Sequence, residues 1–154
     1  MIHINVRAAT ADDRVAVLAL LRALHAETPH AALSEGRLRE GWDEALSIGV
    51  IIVSEQHPGR PVGTVALVPE SPWFSDEVFL CDRWMYVHPE YRHSPHARLL
   101  LRSCRRLAAE QAIPLHMSVA GYGDRTAGKI RLFSRELGPP CGATWVIRNH
   151  GRTV

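Results

Sequence analysis

The sequence predicts a mixed α/β layer structure, with helices packed on a central β-sheet. Three observations predict it. Short runs such as Ile2, Ile4 and Val6 alternate with polar neighbours, the period of a strand. Between Ala97 and Ala108, the residues Ala97, Leu100, Leu101, Cys104, Leu107 and Ala108 share one helical face, while Arg98, Arg102, Arg105 and Arg106 lie mostly off it. The two periodicities interchange along the chain in the order βααβββαβαβ.

The elements follow in sequence. Ile2, Ile4 and Val6 form a short first strand. Thr10 followed by Asp13 makes a capping-box start, with Asp in place of the usual Glu. Val17, Leu20, Leu21 and Leu24 carry that helix to about His25, and Thr28-Pro29 breaks it. Ser34 caps a second helix whose inner face holds Leu38, Trp42, Ala45 and Leu46; Gly49 ends it. Val50 to Val53 and Val62 to Val68 flank the turn Gln56-His57-Pro58-Gly59, so they read as an antiparallel hairpin. After the Pro69 to Pro72 loop, Glu77 to Val87 is the longest strand, closed by Pro89. The strong amphipathic helix comes next. Leu115 to Val119 is a strand, Arg125 to Leu137 a helix and Thr144 to Ile147 a last strand.

Composition narrows the class. At 154 residues, 46% hydrophobic and 22% charged, the chain is long enough for one well-filled core and is expected to be one domain over 1–154. Net charge is +2, and 17 of the 18 basic residues are arginine, Lys129 being the exception. That balance argues against a dedicated nucleic-acid binder, and the arginines read as a solvated helix face rather than an RNA surface. Cys81, Cys104 and Cys141 are too few and too scattered for a disulfide framework or a cysteine zinc site. His93 and His96 straddle a helix start without an acidic or cysteine ligand at metal spacing, so no metal is expected. No apolar run approaches the ~20 residues that span a bilayer, and no leader pattern opens the sequence. The expectation is a cytoplasmic protein without a membrane partner.

The chemistry sits in Val87-His88-Pro89-Glu90-Tyr91-Arg92-His93-Ser94-Pro95-His96-Ala97, which joins the longest strand to the best helix. Ser94 is placed to cap, with Pro95 at the first helical position, where a missing N–H costs nothing. Free backbone N–H groups and the positive end of the helix dipole would attract phosphate, and Arg92 could add a forked contact. Strand–turn–helix junctions are common, so these residues alone leave a purely structural reading open.

Met85-Tyr86-Val87-His88-Pro89-Glu90-Tyr91-Arg92 resembles the acyl-CoA-binding motif of the GNAT superfamily of N-acetyltransferases, in its stand-alone bacterial and phage form. Arg92 and Ala97 match the outer positions of that motif's turn, while Pro95 replaces its glycine and His93-Ser94-Pro95-His96 its Gly-rich run. Ile130-Arg131-Leu132-Phe133 resembles the I-R-L-Y segment of the family, and the element order agrees over nearly the whole chain.

The resemblance implies a GNAT-like central sheet whose splayed strands form an acyl-CoA cleft. It implies acetyl-CoA as acyl donor. Backbone groups of Met85 and Val87 would pair with the pantetheine arm, and amides of the loop Arg92, His93, Ser94, Pro95, His96 and Ala97 would hold the pyrophosphate. Arg98, Arg125 and Lys129 are further phosphate candidates, and Thr126 stands where many relatives carry Asn. The usual acid, a tyrosine in the last helix, is replaced by Phe133; Tyr122 is the nearest substitute in the chain, with a loop tyrosine covering apolar surface as the equal alternative. Asp82, an acid inside an apolar and aromatic run, is the candidate base; an ion pair with Arg83 or with a neighbouring strand is the structural alternative. Glu77 is the second candidate.

The expected activity is transfer of an acetyl group to a primary amine of a small molecule or peptide. The acceptor would sit around His25 to Trp42 and Trp73-Phe74, and a second copy of the chain is a candidate partner. The alternative is a catalytically weak GNAT-like domain that binds CoA or a protein partner as a regulatory module, which Phe133 favours.

Overall fold

The computed structural model describes residues 4–28, 31–119 and 125–142. In chain order its elements are β1 (Asn5–Ala8), α1 (Arg14–Glu27), α2 (Glu35–Ile48), β2 (Val50–His57), β3 (Arg60–Glu70), β4 (Phe79–Val87), α3 (His96–Gln111), β5 (Leu115–His116) and α4 (Thr126–Leu137). The five strands form one sheet in that same order. Neighbours from β1 to β4 run antiparallel, and β5 joins β4 in parallel. The mixed α/β reading therefore holds, as does the hairpin at Pro58-Gly59, where Gly59 takes φ +73°. The expected last strand, Thr144 to Ile147, lies outside the described residues.

Strand alternation divides the core between the two faces of the sheet. Ile51, Val53, Ala66 and Val68 meet Val17, Leu18 and Leu21 of α1 and Trp42 and Ala45 of α2. Ile52, Val65, Leu67 and Val87 point the other way, against Leu100 and Cys104 of α3. Leu100 can approach because Gly63, opposite Val87 in β3, has no side chain; a Cβ there would stand 2.6 Å from Ser54 Oγ and 3.2 Å from Leu100 Cδ1. The inner faces predicted for the helices are the buried ones except at Leu46, expected inside α2 but 38% exposed.

A polar knot fixes where the chain enters the sheet. Arg7 of β1 forks onto Asp13 at 2.7 and 2.9 Å and onto Glu55 of β2 at 3.2 and 3.0 Å. Asp13 also accepts the Thr10 N–H at 2.8 Å, the expected capping box, and Glu55 takes Asn5 and the Gly59 N–H. Hydrogen bonds from Arg7 hold both carboxyls below the ordinary carboxylate range although both are buried. One guanidinium joins β1, the start of α1 and the β2–β3 hairpin.

Candidate active site

The strand expected from Glu77 begins at Phe79, and its 9 residues make β4 shorter than the 11 of β3; it is irregular where the site begins. Ala66 of β3 faces Trp84 and Leu67 faces Asp82, so Arg83 is an extra residue without a partner, a β-bulge. Before the bulge, β4 pairs with β5 only at Leu80–Leu115 and Cys81–His116. The strand expected over Leu115 to Val119 is thus cut to two residues. The reason is local: the Ser118 N–H donates to the Asp82 carboxylate at 2.7 Å instead of continuing the ladder, and the Ser118 hydroxyl adds a contact at 3.2 Å.

Beyond the bulge β4 runs on to Val87 with β3 on one side and no strand among the described residues on the other. The His88 N–H donates to Val62 O of β3, so strand alternation turns the N–H and C=O groups of Met85 and Val87 toward the open edge. The Val87 carbonyl is capped by Arg92 Nε at 3.0 Å.

The loop that follows departs from expectation in one respect. Helix α3 opens at His96 with Pro95 in the cap position, and no side chain caps it. The Ser94 hydroxyl donates instead to Tyr91 O, closing the 3₁₀ turn Pro89–Tyr91, so Ser94 is not the helix cap. The first helical bond runs from Leu99 N–H to Pro95 O, which leaves the N–H groups of His96, Ala97 and Arg98 without an acceptor inside the helix. Pro95 has no N–H to give. His93 is exposed, while the His96 imidazole points into the core at 0% exposure, its ring edge-on to Tyr91. Burial lowers its pKa, so the ring is neutral. Among the described residues, four of the five buried side-chain polar atoms without a hydrogen-bond partner belong to His88, Arg92 and His96. Such atoms are rare in folded chains, and here they cluster around one helix start.

Two carboxylates flank β4 on opposite faces. Asp82 pairs with Leu67 in the register and therefore lies on the α3 side, where its charge reaches Cys104. Desolvation raises the Asp82 pKa, and the Ser118 hydrogen bonds only partly offset it. The expected alternative, an Asp82–Arg83 ion pair, is not formed; Arg83 pairs with Glu44 at 2.9 Å and Glu70 at 3.7 Å. On the other face Glu27, the last residue of α1, accepts a hydrogen bond from the Tyr86 hydroxyl and a double contact from Arg92 Nη2 at 2.7 Å. Neither Glu27 nor Ser118 is among the residues that the sequence singles out. Their partners are 65 and 36 residues away, and no local pattern marks them.

Thr126 begins α4, and Lys129 one turn later is near enough for its charge to act on Glu27. Phe133 is half-buried on the same helix. Glu77 is exposed ahead of β4. Tyr122 lies outside the described residues. Among the described residues no cluster of His, Cys, Asp and Glu could hold a metal ion, and no helix is long and apolar enough to cross a membrane.

The sheet opens between β4 and β5, and the free edge of β4 leads to a helix start with unpaired N–H groups, the layout of a splayed-sheet α/β fold. Residues 47–136 match the acetyltransferase (GNAT) domain, more than half of the chain, and the protein belongs to that family. Solved structures agree on the fold. A Trypanosoma brucei acetyltransferase superposes with TM-score 0.69 at 17% identity, covering 96% of this chain and 99% of its own. The ribosomal-protein-alanine N-acetyltransferase of Brucella melitensis biovar Abortus 2308 gives 0.69 at 16%, covering 94% and 98%. An aminoglycoside acetyltransferase from an uncultured soil metagenomic sample, in complex with sisomicin, gives 0.64 at 12%, covering 97% and 95%. Among curated proteins none matches the sequence.

Proposed function

We propose that this chain, acting as one domain over 1–154 in the cytoplasm, transfers an acetyl group from acetyl-CoA to a primary amine. The observation that carries the reading is the open edge of β4 running into the α3 start. The backbone groups of Met85 and the N–H of Val87 on the open edge suit the amides of a pantetheine arm, while the Val87 carbonyl is held by Arg92 Nε. The N–H groups of His96, Ala97 and Arg98 suit a pyrophosphate, helped by the helix dipole. His93 supplies a further loop amide, Ser94 shapes the turn with its N–H given to Tyr91 O at 3.2 Å, Pro95 fixes that turn, and Thr126 and Lys129 stand on α4. The donor thus has a strand for its arm and a helix for its charge.

Transfer by direct attack needs a neutral amine, a stabilised oxyanion and a proton for the leaving thiolate. Asp82, with its pKa raised by burial, takes the ammonium proton, directly or through water. A backbone N–H on the free edge of β4 faces the developing oxyanion. Tyr122 returns the proton to sulfur. The acceptor amine belongs to a small molecule or a peptide; the aminoglycoside and ribosomal-protein acetyltransferases with this fold bear names that span those two classes. Trp73 and Phe74, edge to face at 5.5 Å and 96% and 72% exposed, offer the acceptor an aromatic surface.

The test is thiol release from acetyl-CoA with a panel of small amines and peptides, alongside calorimetry with acetyl-CoA. Saturable release with at least one amine supports the reading. Failure to bind any acyl-CoA removes it. Binding without release would favour the second reading, a CoA-binding regulatory module, which Phe133 in place of the usual acid supports.

A further inference from the structure

Arg92 holds the position where an anionic donor would bring its diphosphate, yet its guanidinium is already engaged. Nε is bound to Val87 O, Nη2 grips both oxygens of Glu27 at 2.7 Å, and Nη1 is buried without a partner. The Cζ atom lies 5.4 Å from the Tyr86 ring centroid. Every strong contact of this charge is thus with the protein itself. A carboxylate whose two oxygens both accept from Arg92 Nη2 supplies what a phosphate would supply there, two acceptor oxygens and a negative charge.

We propose that Glu27 is a positioning residue that stands in for the donor's diphosphate on Arg92 and yields it when CoA binds. The proposal rests on the acyl-CoA reading of the site. Three features make the exchange feasible. Glu27 is the terminal residue of α1, so its side chain can turn without disturbing helical hydrogen bonds. Its carboxylate is about one-third exposed, so water can take the place of a lost contact. It also keeps two other partners, the Tyr86 hydroxyl and the charge of Lys129, after Arg92 is withdrawn. Arg92 meanwhile stays tethered to β4 through Val87 O, which keeps it beside the loop.

The consequence separates this role from a merely structural tie. A residue that only braces the loop would weaken CoA binding when removed. A residue that competes for Arg92 would strengthen it. Glu27→Gln keeps size and hydrogen-bonding atoms but removes the negative charge.

Calorimetry with CoA on the intact chain tests this, using wild type, Glu27→Gln, Arg92→Gln and the double variant. The expected result is CoA affinity increased about threefold to tenfold in Glu27→Gln, the size of one nearby charge in water. Arg92→Gln should bind more weakly than wild type. In its background the Glu27 substitution should give a clearly smaller gain, because the contested group is gone. Equal or weaker CoA binding by a folded Glu27→Gln overturns the proposal while leaving the donor site standing, and so does an undiminished gain in the double variant. No CoA binding by wild type overturns both. Should Glu27→Gln not fold, Glu27→Asp carries the test: one methylene shorter, it grips Arg92 less well, and affinity should rise about twofold. Unchanged or lowered affinity there is equally fatal.

Discussion

Asp82 of β4 and the backbone N–H of Ser118 meet at 2.7 Å just beyond the last paired residues of β4 and β5. A side chain takes over from the ladder, and the sheet stops closing. The carboxylate that ends the pairing is also the one expected to accept a proton, so its two roles can be separated by substitution.

Asp82→Asn keeps the shape and one acceptor oxygen for Ser118 but cannot take a proton. Acetyl transfer should fall by ~10²-fold or more, with CoA affinity near wild type. Because burial raises the Asp82 pKa, the acidic limb of the wild-type pH–rate profile should lie above the ~4 of an ordinary Asp. That limb should vanish in the variant. Unchanged rates would mean that the amine loses its proton elsewhere, with Glu77 next in line. Loss of CoA binding would mean that Asp82 chiefly holds the edges of β4 and β5 apart.

How far the sequence carries can be judged from these same residues. The apolar stripe of α3, the Pro58-Gly59 hairpin and the loop after Val87 are local patterns, and each appears where its period or turn chemistry puts it. The resemblance over Met85 to Arg92 likewise leads to the family that residues 47–136 match. What the sequence does not carry is the extent of β5, two residues rather than five, and detail at single residues. Ser94 has a cap's chemistry, yet Pro95 already adopts helical angles at φ −69° and ψ −4°, and the hydroxyl turns back to Tyr91 O. The bulge at Arg83 is invisible because period-2 alternation is counted within one strand, whereas a bulge is a mismatch between two. Glu27 was unreadable for a stronger reason. Its carboxylate is defined by Tyr86 and Arg92, which only the folded sheet brings to the end of α1.

Arg7 should be the most sensitive position outside the site. Arg7→Met leaves Asp13 and Glu55 buried at 4% and 3% exposure without their cation, a loss of about 3–5 kcal/mol. That is a large share of the ~5–15 kcal/mol that holds a domain together. The sign with pH follows from the lowered carboxyl pKa values. Their stabilisation is complete above the unfolded values near ~4 and is lost as pH falls through the lower folded ones. Urea unfolding from pH 7 down to pH 2 should show a steeper loss in wild type than in the variant. Parallel curves would show that Arg7 does not set those pKa values.

Trp73 offers a test of acceptor recognition that leaves the fold alone. At 96% exposure it contributes almost nothing to the core, so Trp73→Ser should shift stability by no more than about 0.5 kcal/mol. Its ring stands edge to face with Phe74, and Asp76 and Glu77 follow in the sequence, a combination suited to a cationic amine. The expected kinetic change is a higher KM for the amine with kcat and the KM for acetyl-CoA unchanged. A lowered kcat, or a change in the donor's KM alone, would take the aromatic pair out of acceptor binding.

His96 makes a prediction that runs against the usual direction of core mutations. Its imidazole is fully buried at the first position of α3, with neither ring nitrogen hydrogen-bonded among the described residues and the Tyr91 ring in T-shaped contact. A buried polar atom without a partner costs about 1–3 kcal/mol, and an apolar side chain of similar size has no such penalty. His96→Leu should therefore raise stability, by about 1 kcal/mol after the lost ring contact is set against the gain. The pH dependence gives a second readout. Burial lowers the folded-state pKa, so below the unfolded value near ~6.5 the unfolded chain binds a proton that the folded chain refuses. Wild type should then lose stability as pH falls from about 6.5 toward the lower folded value, and His96→Leu should lack that component. Thermal unfolding of both proteins between pH 8 and pH 5 decides it. If the leucine variant is less stable at pH 8, the imidazole is held by more than its burial suggests; if the two curves stay parallel, its pKa is not shifted by the fold.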